Sequence, residues 1–161
     1  NAEANFQKAN DLNENPVTLN NLGIIARING DRDKATELLN SAVGAGSEVK
    51  YNLGIIDIQN GDYAEAVGNF GGENTFNKAL AQVLNGNAGS PLSTLDASID
   101  AESALGYYLK AIIGARQDNL DLVVNNLKSA IARDAGLKSK AANDREFIKF
   151  FENASFKNVV N

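Results

Sequence analysis

Three short stretches of the sequence contain residue types that could carry out chemistry. Residues 144–146 read Asp-Arg-Glu and place two carboxylates close together, as general acid–base catalysis often requires. Adjacent positions on a helix face different directions, however, and the intervening arginine favours a solvated surface. Residues 31–33 read Asp-Arg-Asp and offer oxygen ligands, but they lack the loop length and the distal glutamate of a calcium site. Residues 86–89 read Gly-Asn-Ala-Gly, and no Lys-Ser or Lys-Thr follows them as in a phosphate-binding loop.

The chain lacks two side chains, His and Cys, on which many enzymes and metal sites depend. The chain has no His, so it lacks the usual acid–base group of near-neutral pKa and the commonest transition-metal ligand. It has no Cys, which excludes a thiol nucleophile, a thiolate metal site and a disulfide. The sequence therefore predicts a protein that is not an enzyme and that holds no metal and no cofactor.

Charge and hydropathy narrow the classes of partner. With a net charge of −5, the chain lacks the cationic surface that binding to nucleic acid requires. No apolar run approaches the roughly 18 residues of a membrane span, so we expect no direct membrane insertion of this segment. The composition does not indicate the compartment. Because the chain starts at Asn1 and contains no Met, we expect it to be a piece of a longer protein with more sequence before it.

An internal repeat defines the elements that must position any site. Residues 21–25 and 52–56 both read Asn-Leu-Gly-Ile-Ile, and residues 29–31 and 60–62 both read Asn-Gly-Asp. A small residue in the middle of a helix lets a partner helix approach closely. The glycine of the triplet can end that helix in a left-handed conformation, and the aspartate can cap the next helix.

A second helix follows each triplet at the same spacing. Ala35 and Leu39 follow the first triplet, and Ala66 and Phe70 follow the second. In both pairs the small and the large residue are four positions apart, so they share one helix face. Each copy of the repeat therefore predicts a pair of antiparallel helices.

These motifs resemble the tetratricopeptide repeat, in which Leu-Gly, a Gly-Asp turn and then Ala, Phe and Ala recur. The resemblance implies an all-α, right-handed solenoid of antiparallel helix pairs that ends in a C-terminal capping helix. In this register, the single domain 1–161 divides into a second helix of an incomplete repeat (1–14), four repeats (16–46, 47–71, 72–99 and 104–135), a cap helix (137–151) and a tail (152–161).

The later repeats depart from the family pattern. Glu73 stands where the third Ala is expected, and with Gly71 and Gly72 it predicts that the second helix of repeat 47–71 is cut short. Pro91 is compatible only with the first turn of a helix, so the helix that follows it should also be short. Residues 117–119 read Gln-Asp-Asn in place of the Gly-Asp turn. We therefore expect a degenerate array with irregular spacing.

The resemblance also implies a concave groove along the first helices, in which a protein or peptide partner would bind. The residues at groove positions are Asn20, Ile24, Arg27, Tyr51, Ile55, Ile58, Phe76, Leu80, Tyr108, Ile112 and Arg116. One interpretation is an open groove for an apolar segment, anchored by Tyr51 and Tyr108. The alternative is that these side chains are buried against one another or against the cap helix. Asn52 alone matches the clamp with which some family members hold a chaperone C-terminus, which disfavours that ligand.

Most of the chain also resembles C-terminal tetratricopeptide segments of cell-envelope proteins from Bacteroides-type bacteria. The likeness rests on residues 51–58, 104–116 and 144–151, and it implies the periplasm or the outer-membrane surface. The expected function is a protein–protein interaction scaffold. Two alternatives remain: an architectural spacer between domains with no ligand of its own, and accessory recognition of a substrate such as a glycan.

Overall fold

The computed structural model describes all 161 residues and is entirely helical, which confirms the all-α prediction. It contains eleven α-helices, one 3₁₀ helix and no β-strand. The α-helices are α1 (Ala2–Leu12), α2 (Pro16–Ile28), α3 (Arg32–Ser41), α4 (Ser47–Asn60), α5 (Tyr63–Phe70), α6 (Phe76–Leu84), α7 (Pro91–Asp96), α8 (Ala104–Arg116), α9 (Leu120–Arg133), α10 (Leu137–Asn143) and α11 (Ala154–Val160). The 3₁₀ helix, Arg145–Phe150, lies between α10 and α11.

The turns between paired helices follow from the repeated triplets. Gly30 and Gly61 take positive φ angles of 87° and 91°, as the ends of α2 and α4 require. Asp31 caps α3, because its carboxylate accepts a hydrogen bond of 3.1 Å from the backbone N–H of Lys34. Asp62 precedes α5 without a side-chain capping bond, so the predicted cap is wrong there. In the turn before α9 no glycine is present, and Asp118 takes the left-handed conformation with φ of 54°.

The chain divides into two compact units, an N-terminal unit of Asn1–Gly72 and a C-terminal unit of Glu73–Asn161. In the N-terminal unit α2 pairs with α3, and α4 pairs with α5. A Cβ added to Gly23 would lie 2.8 Å from Leu39, and one added to Gly54 would lie 2.9 Å from Phe70. Both contacts join the middle of a first helix to the far part of its partner, so each pair is antiparallel. The predicted close approach at the Leu-Gly motif is confirmed.

The core of the N-terminal unit joins α2, α3 and α4. Its buried residues are Leu19, Ala26, Ala35, Leu39, Ala42, Val49, Leu53 and Ile56. Helix α1 packs on α2 but contributes no buried residue. Helix α5 ends before Gly71, which has a positive φ of 60°, so the prediction of a shortened second helix is confirmed.

The C-terminal unit contains the helix pairs α6–α7 and α8–α9. Pro91 occupies the first turn of α7, and that helix is only six residues long, as predicted. The α8–α9 pair is tight near its turn, where a Cβ on Gly114 would lie 2.9 Å from Leu122. A large core cluster around α8 and α9 also includes Phe147, Phe156 and Val160 from the last part of the chain.

The segment after α9 differs from the predicted cap helix and tail. A single helix was expected over residues 137–151, but α10 ends at Asn143 because Asp144 is extended, with φ of −79° and ψ of 123°. The side chain of Asp144 then caps the 3₁₀ helix by accepting the backbone N–H of Glu146. The expected tail 152–161 contains α11, whose Phe156 is only 1% exposed. We call residues 144–160 the C-terminal segment.

Candidate functional site

The N-terminal unit brings six of the predicted groove residues onto two adjacent helices. Helices α2 and α4 contact each other, and the side-chain amide of Asn52 donates a 3.0 Å hydrogen bond to the side-chain oxygen of Asn20. The spacing of three or four residues places the predicted positions of each helix on one side. These residues, all half-buried, form what we call the α2–α4 face: Asn20, Ile24, Arg27, Tyr51, Ile55 and Ile58.

The middle of the α2–α4 face is apolar, and its residues are not part of the hydrophobic core cluster. Ile24, Ile55 and Ile58 are half-buried and lie outside the core cluster of the N-terminal unit. Tyr51 is partly engaged, because its ring meets the ring of Phe70 edge-on with centroids 5.2 Å apart. The face therefore presents three partly accessible isoleucine side chains and one tyrosine that is already held against α5.

A polar cleft of about 440 Å³ lies at the end of α2, at the turn into α3. Its lining residues are Arg27, Gly30, Asp31, Arg32, Asp33 and Gln59. The guanidinium of Arg32 donates a 2.9 Å hydrogen bond to the backbone carbonyl of Gln59, which joins this turn to α4. The Nε of Arg27 is buried and has no hydrogen-bond partner. The polar end of the α2–α4 face thus contains an unsatisfied buried donor.

In the C-terminal unit, Tyr108 is a core residue, and its predicted role as an exposed anchor is wrong. It is 4% exposed, and its hydroxyl donates a 2.8 Å hydrogen bond to Asp144. Its ring meets Phe147 edge-on at 5.7 Å. Burial and then the bond to Asp144 raise the pKa of Tyr108 well above its ordinary value, so the hydroxyl stays protonated. The C-terminal segment covers the position where a partner was expected.

Arg116 is likewise engaged within its own unit. Its Nε and terminal nitrogen donate to the two carboxylate oxygens of Glu146 at 2.9 and 2.6 Å, and another nitrogen donates to the carbonyl of Val83. The hydrogen bonds to Glu146 raise the pKa of Arg116 further above its ordinary range. Arg116 therefore joins α6, α8 and the 3₁₀ helix, and it is not a free groove residue.

The interpretation of Asp144 and Glu146 as a solvated helix surface is also wrong. Both are half-buried, and the break before the 3₁₀ helix lets them reach α8 together. Their carboxylates are occupied by Tyr108 and Arg116. They stabilise the attachment of the C-terminal segment.

The remaining predicted residues of the C-terminal unit support its core. Phe76, Leu80 and Ile112 are half-buried and pack against the cluster of α6, α7 and α8. In this unit, Tyr108 and Arg116 match the second interpretation because they contact the end of the chain, whereas Phe76, Leu80 and Ile112 remain partly accessible. For the α2–α4 face, the residues are partly accessible.

Sequence reasoning gave burial against the cap helix 137–151 as an alternative, but it missed α11 as a part of this core. A local signal was present, because Asn153 caps α11 through its side chain, and Phe156 and Val160 follow it four residues apart. The long-range bonds from Asp144 and Glu146 to α8 have no signal in a single sequence.

No group of three or more Asp, Glu, His or Cys side chains is arranged to hold a metal ion. None of the helices is both long enough and apolar enough to cross a bilayer. Comparison with protein-family models and with curated protein sequences gives no match. The residues of the α2–α4 face, with their partial exposure and their unsatisfied arginine, are therefore the basis on which a function can be argued.

Proposed function

We propose that this chain is a tetratricopeptide-type scaffold that binds a segment of another protein on its α2–α4 face. The observation that carries the proposal is the partial exposure of Ile24, Ile55 and Ile58 on two adjacent helices, outside the core of their unit. Binding on these helices costs little conformational entropy, because α2 and α4 are already ordered. Leu39 packs against α2 at Gly23, and Phe70 packs against α4 at Gly54.

The mechanism is the removal of these apolar side chains from water by a complementary segment. Completing the burial of a partly exposed isoleucine is worth about 0.5–1 kcal/mol, so the three together contribute at most about 3 kcal/mol. Micromolar affinity requires about 8 kcal/mol after the costs of association. The apolar contacts therefore need support from backbone contacts and from polar groups of the face.

The C-terminal unit supports a different role in the same chain. Two of its groove residues, Tyr108 and Arg116, are bonded to residues of its own C-terminal segment. This observation favours the architectural alternative for that unit, namely a rigid spacer with no ligand of its own.

The proposed location rests on the sequence resemblance alone. That resemblance indicates the bacterial periplasm or the outer-membrane surface.

A peptide-display selection on the purified chain tests the proposed function. The enriched peptides are synthesised with a fluorescent label, and their affinities are measured by anisotropy for the wild type, Ile55→Lys and Val43→Lys. Val43 is a matched control, because it is an exposed apolar residue of the same unit that lies outside the α2–α4 face. We expect Ile55→Lys to weaken binding at least about tenfold, because a charge would be placed in the interface, and Val43→Lys to leave it unchanged. Equal loss in both variants, or no loss in either, refutes the location of the site.

A further inference from the structure

Three turns of the chain contain the dipeptide Asn-Gly, at residues 29–30, 60–61 and 85–86. Such a pair can react with itself, because glycine has no Cβ that keeps its backbone nitrogen away from the neighbouring amide carbon. The glycine nitrogen loses its proton and forms a bond to Cγ of the asparagine, and the side-chain nitrogen leaves as ammonia. Water then opens the resulting succinimide ring at one of its two carbonyl groups, which gives aspartate or isoaspartate.

The peptide unit after the asparagine has to rotate before this reaction in each of the three turns. Asn29 has a ψ of −4° and Asn85 a ψ of 34°, and Asn60 is the last residue of α4. At such values the glycine nitrogen is turned toward the backbone nitrogen of the asparagine and away from its side chain. The hydrogen bonds that the rotation breaks therefore determine which turn reacts first.

The turns after α2 and α4 hold the glycine nitrogen in place. The N–H groups of Gly30 and Gly61 donate to the carbonyl three residues earlier, at 3.1 and 3.3 Å. The N–H groups of the next residues, Asp31 and Asp62, also donate back to the preceding helix, at 2.9 and 2.8 Å. Rotation in either turn breaks the first bond and displaces the second, which together close the end of the helix.

The turn after α6 lacks this restraint. Gly86 is exposed, and its N–H donates to no acceptor. The bonds that remain around it are long, because the N–H of Asn87 lies 3.4 Å from the carbonyl of Val83 and that of Ala88 lies 3.3 Å from the carbonyl of Asn85. Rotation here therefore breaks fewer and weaker hydrogen bonds than in the other two turns.

We propose that Asn85 is a modification site, which converts spontaneously to aspartate and isoaspartate faster than Asn29 or Asn60 in the folded chain. The inference does not involve the α2–α4 face, so it goes beyond the proposed function. The product places a carboxylate at the C-terminal end of α6, where the partial negative charge of the helix end disfavours it. Isoaspartate also adds one carbon atom to the backbone of the turn.

The test follows the reaction at all three turns in one sample of the purified chain, which is kept at mildly alkaline pH for several days. Trypsin places the three Asn-Gly pairs in separate peptides, residues 28–32, 51–78 and 79–110. Mass spectrometry then measures the conversion of amide to acid in each peptide, and electron-transfer fragmentation separates aspartate from isoaspartate. A parallel sample in urea gives the rates in the unfolded chain. Anion-exchange chromatography of the intact wild type, Asn85→Gln and the matched control Asn60→Gln detects the added charge.

We expect Asn85 in the folded chain to convert at least about fivefold faster than Asn29 or Asn60, because one net hydrogen bond of about 1 kcal/mol in the barrier corresponds to about fivefold in rate. In urea the three rates should be similar. The first acidic species to form should be absent in Asn85→Gln and present in Asn60→Gln. Conversion of either other asparagine at the rate of Asn85 in the folded chain overturns the inference. An equal lead of Asn85 in urea also overturns it, since the folded turns would then not be the cause.

Discussion

Replacing Phe156 by alanine tests whether the last residues of the chain are part of the fold. Phe156 is 1% exposed, and its ring centroid lies 5.8 Å from that of Phe147 and 5.9 Å from that of Phe151. Loss of a buried phenylalanine ring costs about 3–5 kcal/mol, from lost burial and from the cavity that remains. Helix α11 has only seven residues and can shift into part of that space. We therefore expect Phe156→Ala to cost about 3 kcal/mol.

The free energy of unfolding is measured by urea denaturation with far-UV circular dichroism, and hydrogen exchange locates the change. The control is Ser155→Ala, an exposed neighbour on the same helix, which should change stability by less than about 0.5 kcal/mol. Exchange should accelerate in α8, α9 and the 3₁₀ helix of the Phe156 variant. A loss below about 1 kcal/mol, or exchange that changes only within α11, would show that α11 is not packed in the core of its unit.

Substitutions at other positions test a turn, an ion pair and a buried carboxylate. Asp118→Gly should stabilise the C-terminal unit by about 0.5–1 kcal/mol in urea unfolding, because glycine tolerates the positive φ of 54° and the exposed ion pair of this aspartate contributes little. Arg116→Lys should destabilise the same unit by about 1–2 kcal/mol, since an ammonium group cannot hold both oxygens of Glu146 and the carbonyl of Val83. Partial burial raises the pKa of Asp57, so the folded state binds this proton more tightly than the unfolded state. Stability therefore falls as pH rises from the ordinary carboxyl pKa of about 4 through the raised value. Asp57→Asn should reduce that fall, which urea unfolding over a series of pH values measures.

Each of these expectations has a matched comparison. Asp118→Ala removes the same ion pair but keeps a Cβ, so equal effects of the alanine and glycine variants would exclude backbone conformation as the cause. Arg145→Lys changes an exposed arginine of the same unit and should be neutral, whereas a similar loss in both arginine variants would contradict a specific role for Arg116. Glu37→Gln removes an exposed carboxylate from α3; if it flattens the pH dependence as much as Asp57→Asn does, burial of Asp57 is not the cause.

Local motifs were sufficient to predict the helix pairs and their turns. The Leu-Gly and Asn-Gly-Asp motifs act within one helix pair, where the spacing along the chain determines which residues come into contact. Gly23 and Gly54 lie close to the partner helix, and Gly30 and Gly61 have positive φ angles, as predicted. Pro91 acts through its own backbone, so the short α7 was also predictable. These properties depend on neighbours within about 20 residues, which a single sequence displays.

The sequence predicted the exposure of the groove residues less well than the helix pairs, because the exposure of a side chain depends on contacts between residues far apart in the sequence. Tyr108 and Tyr51 were predicted at the same position of their repeats, yet Tyr108 is hydrogen-bonded to Asp144, 36 residues away. Nothing in residues 104–116 indicates that the C-terminal segment will cover them. The break at Asp144 was missed for the same reason, since the apolar periodicity of residues 137–151 fits a continuous helix. The extended backbone at Asp144 is stabilised by partners on α8 that no local pattern contains.

The two units also differ in when each can fold as the chain is synthesised. The core cluster of the N-terminal unit extends no further than Ile56, so it can close before the C-terminal unit has been synthesised. The core cluster of the C-terminal unit includes Phe147, Phe156 and Val160, and it cannot be completed until residue 160 has left the ribosome. Until then the apolar surface of α8 and α9 stays uncovered and open to chaperones or to premature association. The C-terminal segment therefore determines when the apolar surface of α8 and α9 is covered.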